Sequence, residues 1–138
     1  MNRARLAKQL ELDEGKRAKM YQDTVGKWTA GVGRNLSDRA FSEDEIQLML
    51  SNDIDLAVKD ARQLVPGFDQ LNDARQEVLA NMSLNLGYTR LAGFKKFLAA
   101  VNASEFAEAS LEMLDSKWAQ QVGARAQRLS KAMRTGSW

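Results

Sequence analysis

The sequence predicts an α+β protein that is mostly helical, in which a long helix joins a small N-terminal β-containing lobe to a helical C-terminal lobe. Three observations support this. Strand formers and glycines are concentrated between positions 19 and 41. From position 42 onward, apolar residues recur every three or four positions, as in helices. The chain has 138 residues, 44% of them hydrophobic, which is enough for a single core, because a domain of this size buries roughly 68–70% of its unfolded surface.

The first element is a helix over residues 2–14. Asn2 is a suitable N-cap, Leu6 and Leu10 have helical spacing, and Gly15 follows as a terminating glycine. Residues 15–42 then form the β lobe. Tyr21, Trp28 and Thr29 favour strands on either side of a turn at 23–26, which predicts a hairpin or a three-stranded sheet.

The rest of the chain is predicted to be helical. Ser42 and Glu45 form a capping box that opens a connecting helix over 43–65, which Pro66 ends. Asn72 caps the next helix, which Gly87 ends. Shorter helices are expected at 92–101, 105–114, 117–121 and 124–134. We expect one domain over 1–138, in which residues 1–14 belong with the helical lobe at 68–138.

Two residue types are absent, and this narrows the possible chemistry. The chain has no histidine and no cysteine, which excludes thiol nucleophiles, Ser-His-Asp relays and His-bound zinc. Carboxylates are therefore the expected acid and base of any enzyme here, with no cofactor or metal.

Charge is unevenly distributed, although the net charge is only +2. No acid follows Asp115, whereas five bases do: Lys117, Arg125, Arg128, Lys131 and Arg134. A basic tail of this kind favours a polyanionic partner, which leaves nucleic acid, anionic lipid and an acidic cell-wall polymer open.

Glu14 and Asp23 are the candidate catalytic pair. Glu14 is expected at the C-terminal, negative end of a helix dipole, which disfavours its ionised form, as a general acid requires. Asp23 lies in a turn near the hydroxyl of Thr29, where a carboxylate stays ionised more easily. Two carboxyl groups in such contrasting environments are typical of glycoside cleavage.

Several motifs occur together in one order. They are Leu12-Asp13-Glu14-Gly15, Tyr21-Gln22-Asp23-Thr24, Gly26-Lys27-Trp28-Thr29-Ala30-Gly31-Val32-Gly33, Asn81-Met82, Gly87, Ala92-Gly93-Phe94, Ser116-Lys117-Trp118 and Arg134-Thr135-Gly136-Ser137-Trp138. In this order they resemble the phage-type lysozymes, endolysin muramidases similar to phage T4 lysozyme. The resemblance covers nearly the whole chain.

The resemblance implies a lysozyme-like fold and hydrolysis of the β-1,4 bond between N-acetylmuramic acid and N-acetylglucosamine in bacterial peptidoglycan. Glu14 matches the general acid, Asp23 the second carboxylate and Thr29 the hydroxyl that helps hold the attacking water. This is an inverting scheme, in which the carboxyl groups lie roughly 6.5 to 9.5 Å apart.

The resemblance also implies substrate-binding positions. Arg125 matches an arginine that pairs with the catalytic glutamate, although it also fits a solvated basic face. Asn35, Leu84, Asn85 and Glu112 align with saccharide-contacting positions. Of these Asn85 is the best candidate, because Leu84, like Met82 and Leu86, fits a core position better.

The chain departs from the family at two places. Arg34 replaces a histidine found in many relatives, so the ion pair of that histidine must be rebuilt or absent. The segment between Gly33 and Ser42 is also shorter than in larger relatives, which affects the third strand and the outer wall of the cleft.

Three alternatives remain open at this point. A lytic transglycosylase would cleave the same bond without Asp23 and leave an anhydro sugar. A non-enzymatic basic helical module would bind phosphates through 117–134, although Trp118 and Trp138 fit core positions better than stacking platforms, so no nucleic acid is expected. Residues 117–134 would contact membranes only if the stripe at Val122, Ala126, Leu129 and Met133 did not pack into the helical lobe.

Expected partners follow from the implied substrate. The N-terminus has no apolar signal segment. We therefore expect a monomer made in the host bacterial cytoplasm, which acts on peptidoglycan in the periplasm and cell wall after release by a holin-like protein that it does not bind directly.

Overall fold

The computed structural model describes all 138 residues and divides into two compact units, Met1–Ile46 and Gln47–Trp138. It contains eight α-helices and one three-stranded antiparallel sheet. The predicted α+β, mostly helical fold class is confirmed.

The first unit contains α1 (Arg3–Glu14), the sheet β1 (Arg17–Gln22), β2 (Trp28–Gly31) and β3 (Arg34–Asn35), and the first turn of α2 (Glu43–Leu64). The Asn2 side chain accepts a hydrogen bond from Arg5 N at 2.9 Å, so the predicted N-cap is confirmed. Gly15 ends α1 with a φ of +79°, which favours glycine. The grouping of residues 1–14 with the helical lobe stays a prediction.

The sheet has the strand order β1-β2-β3. Thr29 pairs with Tyr21 on one side and with Asn35 on the other, so β2 is the central strand. Arg17 pairs with Gly31, and the register shifts between Arg17 and Tyr21. The shortened segment before Ser42 still allows a third strand, which is only two residues long.

The capping box at the start of α2 is confirmed. Ser42 N donates to Glu45 Oε1 at 2.9 Å, and Glu45 N donates to Ser42 Oγ at 3.2 Å. These bonds satisfy two backbone N–H groups that a helix start leaves without intrahelical partners. The helix ends at Leu64, just before Pro66.

The second unit continues α2 into a helical array around one core. A short 3-10 helix (Phe68–Gln70) leads into it, and six helices follow: α3 (Asp73–Leu86), α4 (Tyr88–Ala92), α5 (Lys95–Asn102), α6 (Phe106–Leu114), α7 (Lys117–Val122) and α8 (Ala124–Thr135). The 3-10 helix and α4 were not predicted. Gly87 explains α4, because it ends α3 at a φ of +79° while its carbonyl accepts from Leu91 N at 3.1 Å and starts the next helix.

The core of this unit contains Val78 and Met82 of α3, Phe97 of α5, and Leu129 and Met133 of α8. The prediction that the apolar stripe of the C-terminal segment packs inward is confirmed, because Ala126, Leu129 and Met133 are each 1% exposed or less and Val122 packs against the core. None of the helices combines the length and apolar character needed to cross a membrane.

Two tryptophans differ in their environment. Trp118 is buried at 2% exposure, as predicted, and its ring meets Phe94 edge-on. Trp138 is 58% exposed, so its predicted core position is wrong. Trp138 follows Gly136, which ends α8 in the left-handed conformation, and its indole N–H donates to Glu77 at the surface.

Candidate active site

Glu14 is the last residue of α1, and its side chain lies against the turn between β2 and β3. The Arg17–Gly31 pairing explains this position, because antiparallel strands bring the residues before 17 beside the residues after 31. A Cβ atom at Gly33 would lie 2.8 Å from Oε2 of Glu14 and 3.0 Å from its Cβ and Cδ. The carboxylate of Glu14 therefore packs directly on the backbone at Gly33.

Asp23 organises the turn that joins β1 to β2. Its Oδ1 accepts from Val25 N at 3.0 Å and from Lys27 N at 2.8 Å, and its own N–H donates to the Lys27 carbonyl at 2.8 Å. Asp side chains favour this kind of local bonding in turns. Because both side-chain bonds end on Oδ1, the second oxygen, Oδ2, remains free to accept a hydrogen bond.

Thr29 is the one buried residue of the first unit, at 5% exposure. Its hydroxyl donates to the Lys27 carbonyl at 3.1 Å, so its proton is committed while its oxygen can still accept. Thr29 pairs with Tyr21, and Asp23 follows Tyr21 by two residues. Because alternate residues of a strand share a face, Thr29 lies on the face of the hairpin that points toward Asp23. The backbone of Lys27 links the two candidates.

Arg34 makes an ion pair although no histidine is present at that position. Its Nη1 donates to Oε2 of Glu45, and its guanidinium lies 5.9 Å from the centre of the Phe41 ring. The backbone N–H of Ser42, then the Ser42 hydroxyl, and finally Arg34 lower the pKa of Glu45 from 4.5 to about 2. One carboxylate thus joins β3 to the start of α2.

Arg125, in the second unit, is bonded to a neighbouring amide. Its Nε and Nη2 donate to Oδ1 of Asn81 at 3.0 and 2.7 Å, which fixes the side chain on α3. Arg125 is half-buried, and its interpretation as one member of a solvated basic face stays a prediction. The pairing with Glu14 that the resemblance implies stays a prediction.

Leu84 and Asn85 lie near the end of α3. Leu84 is 48% exposed, so the interpretation of Leu84 as a core residue is wrong, whereas Met82 and Leu86 are buried as expected. The period of the helix turns residue 84 away from the face that carries 82 and 86. Oδ1 of Asn85 accepts from the indole N–H of Trp118 at 2.7 Å, which orients the amide and leaves its NH₂ group to donate.

Asn35 and Glu112 lie in different surroundings. Oδ1 of Asn35 accepts from Ser37 N at 2.9 Å and from Asp38 N at 3.1 Å, and its NH₂ donates to Asp38 at 2.9 Å, so the side chain stabilises its own turn. Glu112 lines a surface cavity of about 390 Å³ in the second unit. Two lysines and a second acid share this cavity: Lys95, Lys96 and Asp115.

Comparison with known proteins identifies the family. The Phage lysozyme family profile matches residues 11–134. This chain belongs to the phage lysozyme family. As a phage lysozyme it is a glycosidase, and its substrate is peptidoglycan.

Individual relatives agree with the family match. The chain is 25% identical to "Probable T4-type lysozyme 2" and 26% identical to "Probable T4-type lysozyme 1", both of Dictyostelium discoideum, over 93% of this chain and 92% of each relative. It is 28% identical to "Pre-baseplate central spike protein Gp5" of Enterobacteria phage T4, over 96% of this chain but 28% of Gp5.

Sequence reasoning missed two features of this phage lysozyme. The contact between Gly33 and Glu14 has no sequence signal beyond the glycine itself, because it depends on strand register. The sequence indicates the Arg34–Glu45 ion pair only in part: it marks Arg34 as a departure from the family pattern and Glu45 as a capping residue, but it does not pair the two. Capping uses only Oε1 of Glu45 and leaves Oε2 for a basic partner.

Proposed function

We propose that this lysozyme hydrolyses the β-1,4 bond between N-acetylmuramic acid and N-acetylglucosamine, with Glu14 as general acid and Asp23 and Thr29 holding the attacking water. The observation that carries the proposal is the state of the acceptors in the β1–β2 hairpin. Oδ2 of Asp23 and the hydroxyl oxygen of Thr29 both remain able to accept a hydrogen bond. Oδ1 of Asp23 and the hydroxyl proton of Thr29 are already bonded to the backbone of Lys27.

The proton balance of the reaction follows from these acceptors. A water molecule that donates one hydrogen bond to Asp23 and one to Thr29 has its lone pair free for the anomeric carbon. As the C–O bond forms, the water gives up a proton toward Asp23, and the departing oxygen takes the proton of Glu14. Attack by water on the face opposite the leaving group inverts the anomeric centre.

A hydrolytic reaction needs an activated water, whereas a lytic transglycosylase uses the sugar's own hydroxyl and has no use for a second carboxylate. Asp23 supports hydrolysis, because its turn leaves one carboxylate oxygen available. Within the phage lysozyme family, we further propose a role in host cell lysis. In that role the enzyme is a monomer made in the cytoplasm, and it reaches the cell wall after a holin-like protein has opened the inner membrane.

The Glu14→Gln variant tests the catalytic assignment. Lysis of chloroform-treated Gram-negative cells should fall by about 10²–10⁴-fold, since a positioned general acid contributes about that much. Asp13→Asn is the matched control, because it neutralises the preceding exposed carboxylate and should retain activity. Retention of activity in Glu14→Gln, with circular dichroism like that of the wild type, would remove Glu14 from the mechanism.

Product analysis and expression in living cells separate the remaining alternatives. Wild-type digests should contain free reducing ends, with the α-anomer formed first; 1,6-anhydro products would identify a transglycosylase instead. Cells that produce the enzyme should lyse only after chloroform or a co-expressed holin opens the inner membrane. Lysis without either would contradict the holin-dependent role.

A further inference from the structure

The turn between β2 and β3 contacts the proposed general acid at Gly33. Gly33 has a φ of +65°, and a Cβ there would lie 2.8 Å from Oε2 of Glu14. Real Cβ atoms are not found that close to another heavy atom, and the 3.0 Å approaches to Cβ and Cδ of Glu14 leave the side chain no simple escape. The absence of a side chain at position 33 is what allows Glu14 its present conformation.

Gly31, two residues earlier, lacks this contact although its φ is almost the same. Its φ is +64°, and no atom lies within 4 Å of the position where its Cβ would be. Both glycines spare the chain the strain of a side chain in the left-handed conformation. Only Gly33 also makes room for Glu14, so the two positions separate backbone strain from carboxylate placement.

The residue after Gly33 is anchored at two points. Arg34 lies in β3, where it pairs with Ala30 of β2, and its side chain donates to Glu45 at the start of α2. Both side chains of the ion pair are largely shielded, at 25% and 32% exposure. The guanidinium also lies 5.9 Å from the centre of the Phe41 ring. The residue that directly follows Gly33 is therefore held by both a strand pairing and an ion pair.

From these contacts we propose that Gly33 is a positioning residue for Glu14, and that the Arg34–Glu45 ion pair holds Gly33 in place. The proposal rests on the assignment of Glu14 as general acid. The Gly33 backbone forms one wall of the carboxylate's site and limits its rotation, so that its proton is presented in one direction. Misplacement of a reacting group by about 1 Å can cost 10²-fold in rate.

The paired variants Gly33→Ala and Gly31→Ala test this directly. Both add one methyl group at nearly the same φ, so both should lower Tm, and Gly33→Ala should lower it further because its methyl group also meets Glu14. On a soluble peptidoglycan fragment, kcat of Gly33→Ala should fall about 100-fold with KM nearly unchanged, whereas Gly31→Ala should stay within a few-fold of the wild type. Equal kcat values for the two folded variants would overturn the proposal.

The ion pair supplies a second test that leaves Gly33 intact. Arg34→Gln should lower kcat with KM nearly unchanged, and Arg34→Lys should recover part of the loss because it keeps a cation beside Glu45. Arg62→Gln, which breaks the exposed Arg62–Asp69 pair of the second unit, is the matched control and should not change kcat. If neither alanine variant folds, an unchanged kcat in folded Arg34→Gln overturns the proposal.

The outcomes also distinguish this proposal from the catalytic assignment. An active Glu14→Gln variant would remove the assignment itself, whatever the glycine variants do. An inactive Glu14→Gln together with equal Gly33→Ala and Gly31→Ala activities would keep Glu14 as the acid and overturn only the positioning role of Gly33.

Discussion

Glu45 shows how one residue serves two structural purposes. Oε1 accepts from the backbone N–H of Ser42 and completes the helix cap, while Oε2 accepts from Arg34 and binds β3 to α2. Both contacts favour the ionised carboxylate, which is why its pKa falls to about 2. The capping residue of α2 is thereby also a tertiary contact to β3.

The titration of Glu45 should show this directly. Since its pKa in the folded state, about 2, lies below the ordinary value of 4.5, the stabilisation is present above pH 4.5 and is lost as the pH falls toward 2. An NMR titration of the Glu45 side-chain carboxyl carbon should give a midpoint near 2. Arg34→Gln should raise the midpoint only in part, because Ser42 is the larger cause. A wild-type midpoint near 4.5 would contradict the two contacts.

At the scale of elements, local side chains cap the helix starts, and a distant side chain adds contacts at one helix end. The caps at Asn2, Ser42 and Asn72 were predicted from their side chains and are confirmed, because capping bonds join residues only three positions apart. The C-terminal end of α8 is different. Arg75 of α3 donates to the carbonyls of Met133 and Arg134, and its guanidinium lies 3.7 Å from the centre of the Phe106 ring.

Arg75 should therefore contribute more to the free energy of unfolding than an ordinary surface arginine does. Arg75→Met should lower the free energy of unfolding by about 1–3 kcal/mol, because two helix-end carbonyls lose a charged donor and Phe106 loses its cation. Arg62→Met is the control: Arg62 and its ion-pair partner Asp69 are both exposed, so about 0–1 kcal/mol is expected. Equal losses in urea unfolding would contradict the interpretation.

At the scale of the whole molecule, the two units are stabilised differently. Every buried hydrophobic residue lies in the second unit, from Ala57 to Met133, whereas the only buried residue of the first unit is Thr29. Hydrophobic burial is the dominant favourable term in folding. The first unit thus depends on strand pairing, turn hydrogen bonds and the Arg34–Glu45 ion pair.

Native-state hydrogen exchange should resolve this difference. Amides of Val78–Met82 and Leu129–Met133 should exchange most slowly, with protection close to that of global unfolding, because their helices form the core. Amides of β1 and β2 should exchange through openings of lower free energy. Equal protection in the sheet and in these helices would contradict the assignment of stability to the second unit.

The sequence by itself determined the fold class, the caps, the hairpin turn at Asp23 and the order of motifs that indicates the family. These depend on residues a few positions apart, or on the order of short motifs along the chain. Tertiary structure alone decided that Gly33 packs on Glu14, that Glu45 binds Arg34, that Arg125 bonds to Asn81 and that Leu84 and Trp138 are exposed. The three contacts join positions that strand register or helix packing brings together. The two exposures depend on which helix face or chain end the packed core leaves open. Local propensity specifies neither the contacts nor the exposures.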